Sequence, residues 1–103
     1  MKIKNLTSSK GNKVPNQFEI TIGEAVFFQS YKSIIAKIER GITYLDEVYW
    51  NYSKTTSKYR NMFLGENTDT TKRKIDSGEY ILTDLNAKPL SVSKAKKDFK
   101  FLK

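Results

Sequence analysis

Neither cysteine nor histidine occurs among the 103 residues of this chain. The first absence excludes a disulfide framework, a thiolate metal site and a thiol nucleophile. The second removes the usual general base at neutral pH and the commonest metal ligand. Long apolar runs are missing too. The longest is Ala25-Val26-Phe27-Phe28, far short of the roughly 20 residues that a bilayer-spanning helix needs. Met1 to Leu6 hold no apolar stretch resembling a signal peptide, so a cytoplasmic location is expected. The five glycines stand singly at 11, 23, 41, 65 and 78, a scatter that excludes a glycine-rich phosphate loop and reads as turns and caps.

The chemistry left to such a chain is narrow. A Ser–Lys arrangement or a carboxylate pair is formally open, but Asp46 and Glu47 are adjacent and on a strand would point to opposite faces. The chain is therefore expected to bind rather than catalyse, with no cofactor and no metal.

What the sequence does carry is positive charge, unevenly placed. Of the net +8, residues 1–16 contribute +4, with four lysines and no acid. Residues 87–103 contribute +5, with six lysines against Asp98. The stretch 17–86 has nine basic and ten acidic residues and sums to −1. This divides the chain into a basic N-terminal arm (1–15), a nearly neutral body (16–86) and a basic C-terminal tail (87–103). Within the body the excess is local: Lys54, Lys58, Arg60, Lys72, Arg73 and Lys74 face only Glu66 and Asp69 between Ser53 and Lys74.

The body reads as α+β. Phe18, Ile20 and Ile22 alternate with Gln17, Glu19 and Thr21, the pattern of a half-buried strand. Gly23-Glu24 turns the chain into a second strand, Ala25 to Ser30. Ile34 to Glu39 reads as a third, although Ile34, Ile35 and Ile38 also fit helical spacing, and β-branched enrichment favours the strand. Arg40-Gly41 turns into a fourth strand from Ile42 to Leu45. Helix signals follow: Ser53 or Thr55 as N-cap, Tyr59, Met62 and Phe63 at i, i+3, i+4, and Gly65 as a left-handed stop. A second helix is expected from Thr68 or Asp69 to Ser77, closed by Gly78, and Tyr80 to Leu82 reads as a last strand. The expected architecture is a small antiparallel sheet of four to five strands with one or two short helices on one face, and flexible basic termini.

The most unusual stretch runs from Tyr49 to Arg60 and mixes rings, hydroxyls and cations. Rings of this kind stack on bases, while Lys and Arg neutralise phosphates. Trp50, however, reads rather as a core plug and Tyr59 as inward packing. Both readings stand for the cations, which are either a solvated helix face or a binding face. The candidate contact residues are Tyr52, Lys54, Lys58 and Arg60, with Lys72, Arg73 and Lys74 on the second helix and Lys94, Lys96 and Lys97 in the tail.

Several segments together carry a resemblance: Asn16-Gln17-Phe18; Gln29-Ser30-Tyr31 with Ser33 and Ile35-Ala36; Leu45-Asp46; Trp50-x-Tyr52-Ser53-x-Thr55-Thr56-x-Lys58-Tyr59; Phe63-Leu64; Gly78-Glu79-Tyr80; and Asp84-Leu85-Asn86. Over about 16–86 the chain resembles a family of short, functionally undescribed proteins encoded by bacteriophages and plasmids. The resemblance brings no catalytic residues. It implies a mobile-element accessory protein in a bacterial host, of the sort that binds nucleic-acid machinery. Two functions follow as expectations. One is an anti-defence (anti-CRISPR-type) inhibitor of a host nucleic-acid-processing protein or nucleoprotein complex. The other is a protein that contacts DNA or RNA directly.

Overall fold

The computed structural model of the chain describes residues 1–86. Six strands, β1 (Lys2–Thr7), β2 (Lys13–Ile22), β3 (Ala25–Ser30), β4 (Ser33–Glu39), β5 (Ile42–Asp46) and β6 (Ile81–Thr83), form one sheet in chain order. Two helices, α1 (Lys54–Leu64) and α2 (Thr68–Ser77), stand between β5 and β6. The first five strands pair antiparallel, and β6 runs parallel to β5. The α+β class is as expected, with two corrections: the sheet has six strands, and it is mixed. The parallel pair follows from the two helices, since a connection that long crosses over rather than turning back as a hairpin.

The strand beyond the expected five is β1, from the N-terminal arm. Residues 2–7 pair with β2, Lys2 opposite Thr21 and Lys4 opposite Glu19, and the ladder is interrupted between Asn5 and Thr7. Leu6 and Val14 pack against the core cluster. The arm is thus the edge of the sheet, and its lysines lie where charge discourages unwanted edge pairing. The tail from 87 onward, with Lys94, Lys96 and Lys97, lies outside the described residues.

The hairpin turns are tight. Arg40 and Gly41 both have positive φ (51° and 79°), as a two-residue hairpin turn that matches strand twist requires. In the β3–β4 turn Tyr31 takes φ 57°, a conformation that a bulky side chain adopts only under constraint.

Directly opposed residues share a sheet face, so the ladders assign the core. Phe28, Ala36 and Leu45 lie opposite one another on β3, β4 and β5 and are fully buried. Ile35, Tyr59 and Tyr80 complete the cluster, and Phe63 of α1 stacks on Phe28 with ring centroids 5.8 Å apart. Trp50, expected as a core plug, is half-buried at the rim of this cluster.

The same bookkeeping gives an unusual result for β2. Gln17 lies opposite Ser30, whose hydroxyl is 3.0 Å from the Thr56 hydroxyl on α1, so Gln17 faces the helices. It is fully buried, and neither of its amide atoms has a hydrogen-bond partner among the described residues. Phe18, Ile20 and Ile22 face the other way.

Two side chains lock the end of the described fold. Asp46, 1% exposed, accepts from Val48 N (3.0 Å) and Tyr49 N (2.8 Å) through Oδ2 and from Leu85 N (2.8 Å) through Oδ1. Asn86 takes the place of a ladder partner, accepting from Ile34 N at 2.7 Å and donating to Ile34 O at 2.9 Å.

Candidate functional site

Helix α1 begins because the Ser53 hydroxyl accepts from Thr56 N at 3.1 Å, and it ends because Gly65 adopts φ 72° and donates to Asn61 O at 2.8 Å. Thr56, Tyr59, Arg60 and Phe63 recur at helical spacing and turn toward the sheet. The opposite side is then fixed as polar. Lys54, Ser57, Lys58 and Asn61 share that side, and with Asn51 and Ser53 they line one shallow concavity.

Arg60, expected on the binding face, is instead 0% exposed. Its guanidinium donates to Trp50 O, Asn51 Oδ1 (3.1 Å), Asn61 Oδ1 (2.9 Å) and Thr68 Oγ1 (2.9 Å), and stacks over the Trp50 ring at 5.1 Å. Burial lowers its pKa, and the charge of Glu66 pulls the other way. This cation therefore ties the Trp50–Asn51 segment to α1 and the start of α2. It also shapes the concavity. The Asn51 and Asn61 oxygens are committed to Arg60, and the Ser57 hydroxyl also donates to Asn51 Oδ1 at 2.7 Å, so the amide nitrogen of Asn51 is the one amide group left for a ligand beside Lys54 and Lys58. Among the described residues no carboxylate pairs with either lysine.

The run Lys72-Arg73-Lys74 does not act as one cluster, because successive helical residues point about 100° apart. Lys72 and Arg73 are exposed on α2, Arg73 donating to Thr70 Oγ1 at 3.1 Å. Lys74 turns inward, 2.9 Å from Glu66 and 5.2 Å from the Tyr80 ring centroid. Glu66 also accepts from the Thr71 hydroxyl (2.6 Å) and the Tyr80 hydroxyl (2.8 Å). Burial alone would raise the Glu66 carboxyl, but these three hydrogen bonds and the Lys74 charge outweigh it and hold its pKa below the ordinary value. Hydrogen bonding to Glu66 raises Lys74, and burial together with the same carboxylate raises Tyr80.

A depressed carboxylate stabilises the fold above its unfolded pKa, and that contribution is lost as pH falls through the lower folded value. Wild-type stability is therefore expected to drop in the acid range below about 4.5, the ordinary value of this group. Glu66→Gln should lower the neutral-pH melting temperature and flatten that acid limb. Thermal melts of both proteins across the range test this, and parallel curves would contradict it.

Tyr52 is 68% exposed and meets Tyr49 edge-on at 5.4 Å between ring centroids. It lines a cleft of about 550 Å³ with Tyr31, Lys32, Tyr49 and Thr56, where the strained Tyr31 sits at the mouth, 52% exposed. Tyr52 is also two residues before Lys54, so the aromatic cleft and the cationic concavity adjoin along the chain. The structure thus leaves Tyr52, Lys54, Lys58, Lys72 and Arg73 exposed and takes Arg60 and Lys74 into the fold. Asn51, Ser57, Asn61, Tyr31 and Lys32 were not among the expected residues. A helical projection of 54–61 would have found Ser57 and Asn61. Nothing local brings Tyr31 next to Tyr52.

Taken together, these elements define a small α+β domain. Among the described residues no helix is long and apolar enough to cross a membrane. Residues 1–79 match the profile of a family of unknown function, DUF8033, and the chain belongs to that family. The matched residues include β1. Neither the curated proteins nor the solved structures yield a match.

Proposed function

We propose that this chain is a non-enzymatic accessory protein of a mobile element that binds a host nucleic-acid-processing complex, as an anti-defence (anti-CRISPR-type) inhibitor. The observation that carries the reading is the outer face of α1. There Lys54 and Lys58, one turn apart and without a carboxylate partner among the described residues, line a shallow polar concavity with Asn51 and Ser57, next to the exposed Tyr52. An exposed tyrosine is a common interface anchor, and the two lysines suit a phosphate-bearing complex.

A second reading, direct contact with DNA or RNA, draws on the same lysines. Salt separates the two. Direct binding releases counterions, so log K falls against log[salt] by about 0.9 per neutralised phosphate on duplex and about 0.7 on single strands. Under that reading the double reversal Lys54→Glu, Lys58→Glu flattens the duplex slope by about two units, whatever the base sequence. Under the inhibitor reading the isolated protein binds random duplex and single strands weakly, and Tyr52→Ala costs its partner complex more than added salt does. Titrations of wild type and both variants against random DNA and RNA at low and moderate salt decide between them.

A further inference from the structure

An antiparallel sheet with helices on one face normally shows polar side chains on the other. Here it does not. Ile3, Ile20, Phe27, Lys37, Tyr44 and Ile81 lie opposite one another across all six strands, in register, on the face away from Phe28 and the helices. Five of these six side chains are apolar or aromatic. Ile3 is 62% exposed and Ile81 42%, with Ile22 and Ile42 exposed along the same face. The price of this arrangement is visible on the other side of β2, where Gln17 is buried under the helices without a hydrogen-bond partner among the described residues. A strand whose apolar side is turned outward, at the expense of a buried unsatisfied amide, marks a face built to be covered.

We infer that this face is covered by a second copy of the chain, two sheets packing face to face about a twofold axis. Charge argues for this occupant. The described residues carry three more cations than acids, and the whole chain carries +8, so two copies repel over most of their surfaces. The uncovered sheet face is the exception. Its charges near the centre are Lys37 and Glu39, two residues apart on one strand and 3.4 Å from each other, which sum to zero. A twofold axis between them sets Lys37 against the partner copy's Glu39 and the reverse, a self-complementary arrangement that an isologous interface demands. Six strands spaced by about 4.8 Å give a row about 24 Å across. With strands of ordinary length this makes about 500 Å² per copy and about 1,000 Å² per pair, enough for a reversible dimer rather than an obligate one. Sheet-on-sheet packing of this kind keeps α1 outermost on both copies. The pair then presents two Lys54–Lys58 faces pointing apart.

Sedimentation equilibrium of the full chain from about 1 µM to about 500 µM reads the association directly, in the range where an interface of this size dissociates. The expected result is a monomer–dimer equilibrium. Lys37→Glu alone and Glu39→Lys alone should each weaken it about tenfold or more, because each places like charges across the axis. An equimolar mixture of the two variants should recover dimer as a mixed species, since opposite charges again face each other. Circular dichroism melts confirm that both variants fold. A wild type that stays monomeric throughout overturns the inference and leaves the face to a foreign partner. So does a dimer indifferent to both reversals, or a mixture that gains nothing over the separate variants. None of these outcomes bears on the α1 face, which the salt titrations test separately.

Discussion

Arg60→Ala is expected to lower the melting temperature by about 15 °C or more, the largest effect of any single truncation in α1. The guanidinium is fully buried and donates to four acceptors on three segments: Trp50 and Asn51 before α1, Asn61 within it, and Thr68 at the start of α2. Removing it takes the side-chain donor from Trp50 O and Asn61 Oδ1, leaves Asn51 Oδ1 and Thr68 Oγ1 to Ser57 and Asn61 alone, and opens a void under Trp50, a cost of about 3–5 kcal/mol. A domain of this size has only about 5–15 kcal/mol in total. Arg60→Lys should recover only part of the loss, because one ammonium cannot reproduce a planar fork that spans four partners. A thermal melt of each variant settles the matter. Wild-type stability in Arg60→Ala would contradict the structural role and return this cation to the binding face.

Asp46→Ala is expected to come second, at about 2–4 kcal/mol, since three backbone N–H groups lose a charged acceptor at once. Two of them, on Val48 and Tyr49, shape the exit from β5; the third, on Leu85, holds the segment after β6. The loss should therefore be regional as well as global. Amide exchange should quicken first at Glu47, which donates to Thr83 O, and at Leu85, before it quickens in β2 and β3. Asp46→Asn keeps an acceptor and should fall between the two. Uniform exchange throughout the sheet would show that Asp46 does not anchor β6.

The contrast between these two residues and the hairpins explains what could be read without the fold. The β2–β3–β4–β5 meander was legible because its turns announce themselves: Gly23 and the Arg40-Gly41 pair break clear alternations. The helices were legible from Ser53, Gly65 and Gly78, although the second cap proved to be Asn67, accepting from Thr70 N at 2.8 Å. Strand β1 was not legible. Its apolar residues are few, and what makes it a strand is the ladder to β2 across the Gly11 turn. Alternation in β2 revealed two faces but could not say which one the helices cover. Tertiary packing decides that, and here it chose the polar one.

The candidate site was legible to the same degree. Lys54 and Lys58 follow from a helix whose buried side is known. Arg60 does not, because a long cation next to a core tyrosine is buried only if acceptors from distant segments converge on it. Lys74 is withdrawn for a similar reason, by a carboxylate eight residues earlier. Local charge runs therefore overstated the basic surface of α2.

The measurement that bears most directly on the proposed binding role uses the full chain as bait in a bacterial extract digested with nuclease, with Lys54→Glu, Lys58→Glu as its pair. The wild type should retain a defined nucleic-acid-processing protein after digestion and inhibit that protein's activity when both are purified. The double reversal, folded to the same melting temperature, should retain and inhibit about tenfold less. Equal retention and inhibition by both proteins, or a wild type that inhibits nothing it retains, would contradict the assignment of function to the α1 face.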